Sequence, residues 1–211
     1  MTETALLPST QPAFRTLRDE LKYATRTEHE QLEAALDLMR ADFTLADYRE
    51  LLVRYLGFYQ SFEAYIQSRA DLCWPAASFY MGRQPKQQWL QNDLEVLVDD
   101  QPRPAYLIPA DVFSALFATP STLLGAVYVI EGSMLGGRIL TRHFSETLGL
   151  TPESGLQFFN GYGADTKMHW QALLQLLESA DGDLARRAEA VTGAKRMFAL
   201  LHRHLLSHPA A

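Results

Sequence analysis

One histidine has neighbours whose chemistry suits a ligand that carries both a metal and a carboxylate. His29 lies on an apolar helix face, with Lys22 seven residues earlier and Glu33 four residues later. A neutral imidazole can bind a metal through one ring nitrogen while an acceptor holds the other. A cation two turns away can pair with a carboxylate of the same ligand. A single histidine on such a face is more often a packed core residue, so both interpretations stay open at this point.

A second segment, residues 123–144 (LLGAVYVIEGSMLGGRILTRHF), has the length and periodicity of a helix but contains four glycines. Each glycine inside a helix costs roughly 0.5–1 kcal/mol relative to alanine. Gly125, Gly132 and Gly136 follow one another at steps of seven and four, so they share one stripe. A stripe without side chains lets either another helix or a flat ligand approach the backbone.

Taken together, the two segments favour a ligand over simple helix packing. A planar macrocycle held between two helices needs an axial ligand on one side. On its other side it needs backbone at van der Waals distance, with small polar groups near the open face of the metal. His29 offers the first of these features, and the glycine stripe offers the second.

The elements that must position these residues are all helical. Apolar side chains at steps of three and four predict helices, and no segment shows the alternation of a strand. The predicted helices cover residues 14–39, 45–68, 86–98, 110–118, 123–144, 166–178 and 184–206, with Pro120 at the start of the fifth. Residues 71–81 are expected to be irregular, 99–109 to form a loop and 160–163 a turn. The sequence therefore predicts an all-α domain of seven to nine helices.

Bulk properties exclude several classes of protein. With 211 residues the chain fits one domain, and its net charge of -6 gives no support to nucleic-acid binding. The single cysteine, Cys73, rules out an intrachain disulfide. Neither a signal peptide nor about 18 uninterrupted apolar residues is present, so we expect a cytoplasmic protein without a membrane partner. A carboxylate-bridged di-iron bundle would need a second Glu-x-x-His pair, which the sequence lacks.

The two segments together resemble the heme oxygenase family, specifically its biliverdin-producing bacterial group, including those that accompany bacterial phytochromes. Residues 17–39 resemble the family's proximal helix, and residues 124–139 (LGAVYVIEGSMLGGRI) resemble its distal helix. The segment 158–170 (FFNGYGADTKMHW) is similar to a C-terminal segment of the bacterial enzymes.

The resemblance assigns roles to individual residues. It implies that His29 binds the heme iron and that Glu33 is the acidic residue that follows the proximal histidine. It implies further that three glycines lie over the heme and let the distal helix bend. The residues expected at the propionates are Lys22, Tyr128 and Lys167. The glycines are Gly132, Gly136 and Gly137, of which Gly132 and Gly136 are assigned to catalysis together with Ser133.

Ser133 is the one departure from the better-known pattern, because mammalian-type members carry an aspartate after the first distal glycine. That aspartate organises water beside bound dioxygen. A serine offers a single hydroxyl. The resemblance therefore implies that the water network here draws on backbone groups, with Arg138 or Arg142 at a distance.

The resemblance implies a single-domain heme-oxygenase-like helical bundle, with heme sandwiched between the proximal and distal helices. The domain is expected over residues 14–206, between a disordered arm at 1–13 and a tail at 207–211. Heme b is expected to be both cofactor and substrate, and the reaction with dioxygen to yield biliverdin, carbon monoxide and ferrous iron. The reductant must be external, such as ferredoxin or an NAD(P)H reductase system. A bacteriophytochrome is one candidate acceptor of the biliverdin.

Two other functions remain possible for a fold of this kind. A non-catalytic heme carrier or sensor would need the same ligand and the same propionate contacts. A heme-free member of the fold, such as a thiaminase-like hydrolase or a di-iron oxidase, would need a partner base for Cys73 or a second set of metal ligands.

Overall fold

The computed structural model describes residues 14–72, 74–97 and 105–206, and most of these residues are helical. Within those ranges the only strand-like pairings are two isolated bridges at Thr151. The all-α fold class is confirmed, although the described residues form more helices than predicted. The arm 1–13, the tail 207–211, Cys73 and part of the loop 99–109 lie outside the described residues. In chain order the helices are α1 Leu17–Ala24, α2 Arg26–Leu36, α3 Leu45–Ala70, α4 Pro75–Met81, α5 Lys86–Val96, α6 Ala110–Leu116, α7 Pro120–Ser133, α8 Gly137–Leu148, α9 Gln157–Asn160, α10 Thr166–Glu178 and α11 Leu184–Leu206.

The long helix α3 carries the aromatic core. Its start is fixed by a capping box in which Thr44 and Asp47 exchange side-chain and backbone hydrogen bonds, as their spacing predicts. Phe58 and Phe62 are fully buried and contact Phe113 of α6. Burial of each such ring contributes about 2–3 kcal/mol, so α3 holds the surrounding helices in place.

Helix α7 lies against α11 at very short range, and glycines make that approach possible. A Cβ atom at Gly125 would overlap the carbonyl oxygen of Ala190, and one at Gly193 would overlap the carbonyl oxygen of Thr122. Because each helix brings a glycine to the backbone of the other, the contact is reciprocal. Gly125 therefore serves helix packing, which is the simpler of the two explanations left open by the sequence.

The prediction of one continuous helix over residues 14–39 is wrong, because this segment forms two helices and the second ends before residue 39. Thr25 separates α1 from α2, and its hydroxyl donates a hydrogen bond to the carbonyl of Leu21 at 2.8 Å. Such back-bonding by threonine competes with the regular helix ladder. Helix α2 ends at Leu36, because Asp37 adopts a left-handed conformation with φ of 41°.

Two further predictions of local structure need correction. Residues 75–81, expected to be irregular, form helix α4, which begins with Pro75 in its first turn. The segment 123–144, expected to be one helix, is divided into α7 and α8 by the residues 134–136. The predicted turn at 160–163 is present, with Gly161 and Gly163 both at φ of 54°.

The stretch Pro120–Leu148 is long and apolar enough to cross a bilayer by length and composition alone. More than half of its most apolar part is buried inside the protein, as in the core helix of a soluble protein. The break at residues 134–136 also interrupts it.

Helix α9 is held by a buried carboxylate, and this gives a prediction about pH. Asp93 accepts the backbone N–H groups of Gln157 and Phe158, both at 2.8 Å. Burial nevertheless raises the pKa of Asp93 to about 6, above the usual 3.8, although the two donors oppose the rise. Since the folded state holds this proton more tightly than the unfolded state, Asp93 contributes most stability below pH 4 and loses it as pH rises to about 6.

The expected loss from Asp93 is about 3 kcal/mol in all, of which about 2 kcal/mol falls between pH 4 and pH 6. Urea unfolding gives the free energy of unfolding of the wild type and of Asp93→Asn at several pH values. The difference between the two proteins isolates Asp93, because the other carboxylates contribute equally to both. The free energy of unfolding of the wild type should fall relative to that of the variant across this window. Parallel pH profiles for the two proteins would contradict the assignment.

Candidate functional site

His29 lies in the second turn of α2 with its imidazole oriented from both sides. Its Nδ1 atom is 3.3 Å from Oε2 of Glu33, one turn further along the helix. Its ring forms a T-shaped pair with that of Phe198 of α11, with 5.8 Å between the ring centroids. More than half of the side chain, 55%, is exposed. An imidazole held by a carboxylate at Nδ1 keeps Nε2 for a ligand, which is the arrangement of metal-binding histidines.

The residues 134–136 between α7 and α8 form a tight turn rather than a continuation of the helix. Four consecutive N–H groups, from Met134 to Gly137, donate to the carbonyl three residues earlier, at 3.1–3.3 Å. Hydrogen bonds of this type belong to the 3₁₀ helix and often mark a hinge or a kink. The turn brings Ser133, Leu135 and Gly136 to the surface.

The distal glycines face different surroundings. A Cβ atom at Gly132 would lie 3.7 Å from the indole of Trp170, which is ordinary contact. At Gly136 it would meet only the carbonyl oxygen of Ser133, at 3.8 Å. At Gly137 it would overlap the carbonyl oxygen of Phe159. Gly136 thus leaves its backbone open to a ligand, whereas the protein's own packing requires a glycine at 137.

The Ser133 hydroxyl is already engaged. It donates its hydrogen to the carbonyl oxygen of Ile130 at 2.8 Å. A hydroxyl whose hydrogen is used in this way still offers its lone pairs as acceptors. Ser133 can therefore orient a water molecule by accepting a hydrogen bond from it, while it gives its own proton to the backbone.

Tyr128 joins α7 to α1 and α10. Burial raises the pKa of its hydroxyl, and the Arg18 guanidinium opposes that rise through its charge. The Tyr128 ring lies 5.7 Å from the ring of Trp170. Lys22 in the last turn of α1 and Lys167 in the first turn of α10 are both exposed. The three predicted propionate residues therefore come from three helices, and α1 and α10 both approach Tyr128 of α7.

Helix α11 links the two halves of the candidate site. It contacts His29 through Phe198 and packs against α7 at Gly125. The position of the imidazole relative to the turn therefore depends on α11.

A protein-family model described as heme oxygenase matches residues 15–207. The chain belongs to the heme oxygenase family. A heme oxygenase of Xanthomonas campestris is 34% identical over 114 residues, which is 54% of this chain and 62% of that relative. This match thus spans less than two thirds of the relative.

Solved structures of heme oxygenases share the fold. Heme oxygenase 2 of Chlamydomonas reinhardtii, solved without heme, has a TM-score of 0.77 at 15% identity and covers 92% of this chain and 98% of its own. Heme oxygenase-2 of Synechocystis, solved with heme and NO, has a TM-score of 0.73 at 20% identity and covers 90% and 84%. At these identities the likeness establishes the fold.

The residues of this heme oxygenase family member fit a heme. An exposed imidazole with one oriented nitrogen is available on α2, and an open backbone turn is available at Gly136. Two exposed apolar side chains lie here, Leu135 in the turn at 46% and Ile139 in α8 at 67%. Such surface suits contact with a porphyrin edge.

Two residues near the site were missed by sequence reasoning. Trp170 contacts both Gly132 and Tyr128, although the sequence analysis gave a role only to Lys167 in that segment. Arg18 lies one helical turn before Lys22 and close enough to Tyr128 to influence its pKa. The spacing of Arg18 and Lys22 was visible in the sequence, and two cations one turn apart are a usable signal for an anionic partner.

A buried polar cluster directly beside the turn was also missed. Lys86 and Glu131 form an ion pair with 2.7 Å between Nζ and Oε1, and their side chains are 0% and 1% exposed. Tyr162 donates to Glu131 at 3.1 Å and lies 3.0 Å from the Lys86 ammonium. A glutamate within the otherwise apolar helix α7 was the available signal, since a buried charge needs a partner.

Proposed function

We propose that this protein cleaves heme with dioxygen and external electrons, forming biliverdin, carbon monoxide and ferrous iron. Heme degradation to biliverdin is the function of the family to which the chain belongs. Two observations support the proposal: an exposed imidazole with its Nδ1 3.3 Å from the Glu33 carboxylate, and a turn with open backbone at Gly136.

In this proposal His29 binds the iron through Nε2. Glu33 accepts the Nδ1 proton, fixes the tautomer and strengthens the imidazole as a donor. When bound, heme supplies the iron at which dioxygen is activated.

The opposite wall is proposed to consist of Gly132, Ser133 and Gly136, with Gly137 predicted beside them. The open backbone at Gly136 would allow a planar ligand to approach closely. Ser133 accepts a hydrogen bond from an ordered water, which then carries the proton. Because the serine proton is held by Ile130, the water rather than the hydroxyl is the general acid.

The propionates are proposed to be held by Lys22, Tyr128 and Lys167. Their contacts set the rotation of the macrocycle in its plane and so select the carbon that is attacked. Arg18 adds a fourth group near Tyr128. Lysine and arginine both bind carboxylates, with arginine favouring two-pronged contacts.

The remaining partners are also proposals. Electrons come from an external donor such as a ferredoxin or an NAD(P)H reductase, and a bacteriophytochrome is a candidate acceptor of the product. The setting that fits these partners is the cytoplasm.

A carrier or sensor of heme on the same fold is the alternative, and one experiment separates the two. Hemin is first titrated into the protein to establish stoichiometric binding. Ascorbate is then added in air, and the Soret band is followed together with the release of iron. An oxygenase loses the band and forms a bilin, whereas a stable Soret band with bound iron would support the carrier.

A further inference from the structure

Residues 159–162 pack against the buried side of α7, of the turn at 134–136 and of α8. Along α7, the turn and α8, three residues spaced three apart contact successive parts of this segment. The contacts are Glu131 with Tyr162, Met134 with Gly161, and Gly137 with Phe159. The middle contact is close, since a Cβ at Gly161 would lie 3.1 Å from the Met134 sulfur. The segment therefore follows the turn from its beginning to its end.

The first of these contacts is the buried ion pair of Lys86 and Glu131. The Lys86 ammonium lies 2.7 Å from the Glu131 carboxylate and 4.6 Å from the centre of the Tyr80 ring. Tyr162 bonds both carboxylate oxygens of Glu131, each at 3.1 Å. The backbone carbonyl of Glu131 also accepts the N–H of Met134 at 3.3 Å, the first hydrogen bond of the turn. Glu131 thus binds Lys86 and Tyr162 through its side chain and accepts the first hydrogen bond of the turn through its backbone carbonyl.

Glu63 anchors Lys86 from the other side. Its Oε1 accepts the backbone N–H of Lys86 at 2.7 Å and the Tyr80 hydroxyl at 3.1 Å. Burial raises the pKa of Glu63. The lysine is consequently fixed at its backbone by α3 and at its ammonium by α7.

Stability alone does not explain why charges occupy this place. Desolvation of a buried ion pair costs several kcal/mol per ion, and well-packed apolar replacements are often neutral or stabilising. Charged hydrogen bonds are, however, directional, and they define an orientation that apolar packing leaves less specified. We therefore interpret the cluster as a set of contacts that fixes the conformation of the turn at 134–136.

We propose that Lys86, Glu131 and Tyr162 are positioning residues that fix the turn at 134–136, and with it the distance of Ser133 and Gly136 from bound heme. The heme part of this inference rests on the proposed function. None of the three touches the reacting atoms in this account, and each acts through the backbone of the turn.

The test uses two variants and one matched control. The double variant Lys86→Met/Glu131→Leu removes both charges of the ion pair together, while Glu63 keeps its hydrogen bonds from the backbone N–H of residue 86 and from the Tyr80 hydroxyl. Tyr162→Phe removes only the hydroxyl and keeps the aromatic ring and the Lys86–Glu131 ion pair. The control is Glu20→Leu/Arg187→Met, which removes an ion pair of 2.6 Å between α1 and α11, away from the turn.

The first measurement is amide hydrogen exchange in the heme-free protein, so it needs no activity. Both cluster variants should exchange the amides of residues 134–137 about 10-fold faster, equal to about 1.4 kcal/mol of local opening. Protection in α3 should stay as in the wild type, and the control should leave 134–137 unchanged. Unchanged exchange at 134–137, or an equal rise throughout the chain, would overturn the proposal, because the cluster would then be inert or merely stabilising.

The second measurement is the C–O stretching band of the ferrous carbonyl complex, which reports the polarity and distance of the distal wall. In the two cluster variants the band should shift or broaden, while the control keeps the wild-type band. A wild-type band in both cluster variants would contradict the link to the heme side. If the wild-type protein failed to bind hemin, the proposed function would fail, whereas the exchange result would still decide the role of the cluster at the turn.

Discussion

Replacement of His29 with alanine is expected to abolish histidine ligation of heme and to reduce heme cleavage at least ~100-fold, equal to about 2.7 kcal/mol in the barrier. The reason is that α2 presents this imidazole at the surface with its Nδ1 3.3 Å from the Glu33 carboxylate. The side chain is more than half exposed, so its removal creates no core cavity and leaves the fold intact. The measurement is the ferric and ferrous absorption spectrum after hemin addition, followed by turnover with ascorbate.

The matched control for His29 is His202, an exposed histidine of α11. His202→Ala should keep the wild-type spectrum and rate. Added imidazole should restore a histidine-like spectrum to His29→Ala, because the free base can replace the missing ligand. A His29→Ala variant with an unchanged spectrum would mean that another residue binds the iron.

A bulky side chain at Gly136 is expected to block the site without harming the fold. Within 4 Å, a Cβ at this position meets only the carbonyl oxygen of Ser133, so Gly136→Leu projects into open space. Displacement of the reacting groups by about 1 Å can cost ~100-fold in rate, and we expect a loss of that order. The melting temperature should stay within about 4 °C of the wild type.

The contrast with Gly125 makes this prediction specific. Gly125→Ala should destabilise the protein by about 1–3 kcal/mol, because its Cβ overlaps the backbone of α11 at Ala190. The heme-loaded Gly125→Ala protein that remains folded should keep most of its activity. Full turnover by Gly136→Leu would remove the argument for a close backbone wall.

Much of the fold could be predicted because its signals are local. The start of α3 follows from Thr44 and Asp47 three residues apart, and the turn at 160–163 follows from its glycines. The helix breaks were harder to predict. Thr25 interrupts the first helix through a side-chain hydrogen bond to Leu21, which is also compatible with an unbroken helix. The short helix α4 has a proline at its start but too few residues for a clear period.

The same distinction applies to the candidate site. His29 and Glu33 lie one turn apart on one helix, so their contact could be predicted from spacing alone. The partners of the distal helix could not. Glu131 meets Lys86 from 45 residues away and Tyr162 from 31, and no local pattern specifies such pairs. The four glycines of the segment also looked alike in the sequence, yet Gly125 and Gly137 face backbone while Gly136 is open.

A single aerobic turnover of the hemin complex tests the central claim most directly. The protein is loaded with one equivalent of hemin, reduced with ascorbate in air, and its product is separated and identified, with carbon monoxide and iron measured in parallel. The account predicts one biliverdin, one carbon monoxide and one iron per heme consumed, with one isomer dominant because Lys22, Tyr128 and Lys167 fix the rotation of the ring. Intact heme recovered from the protein after full reduction in air would contradict it.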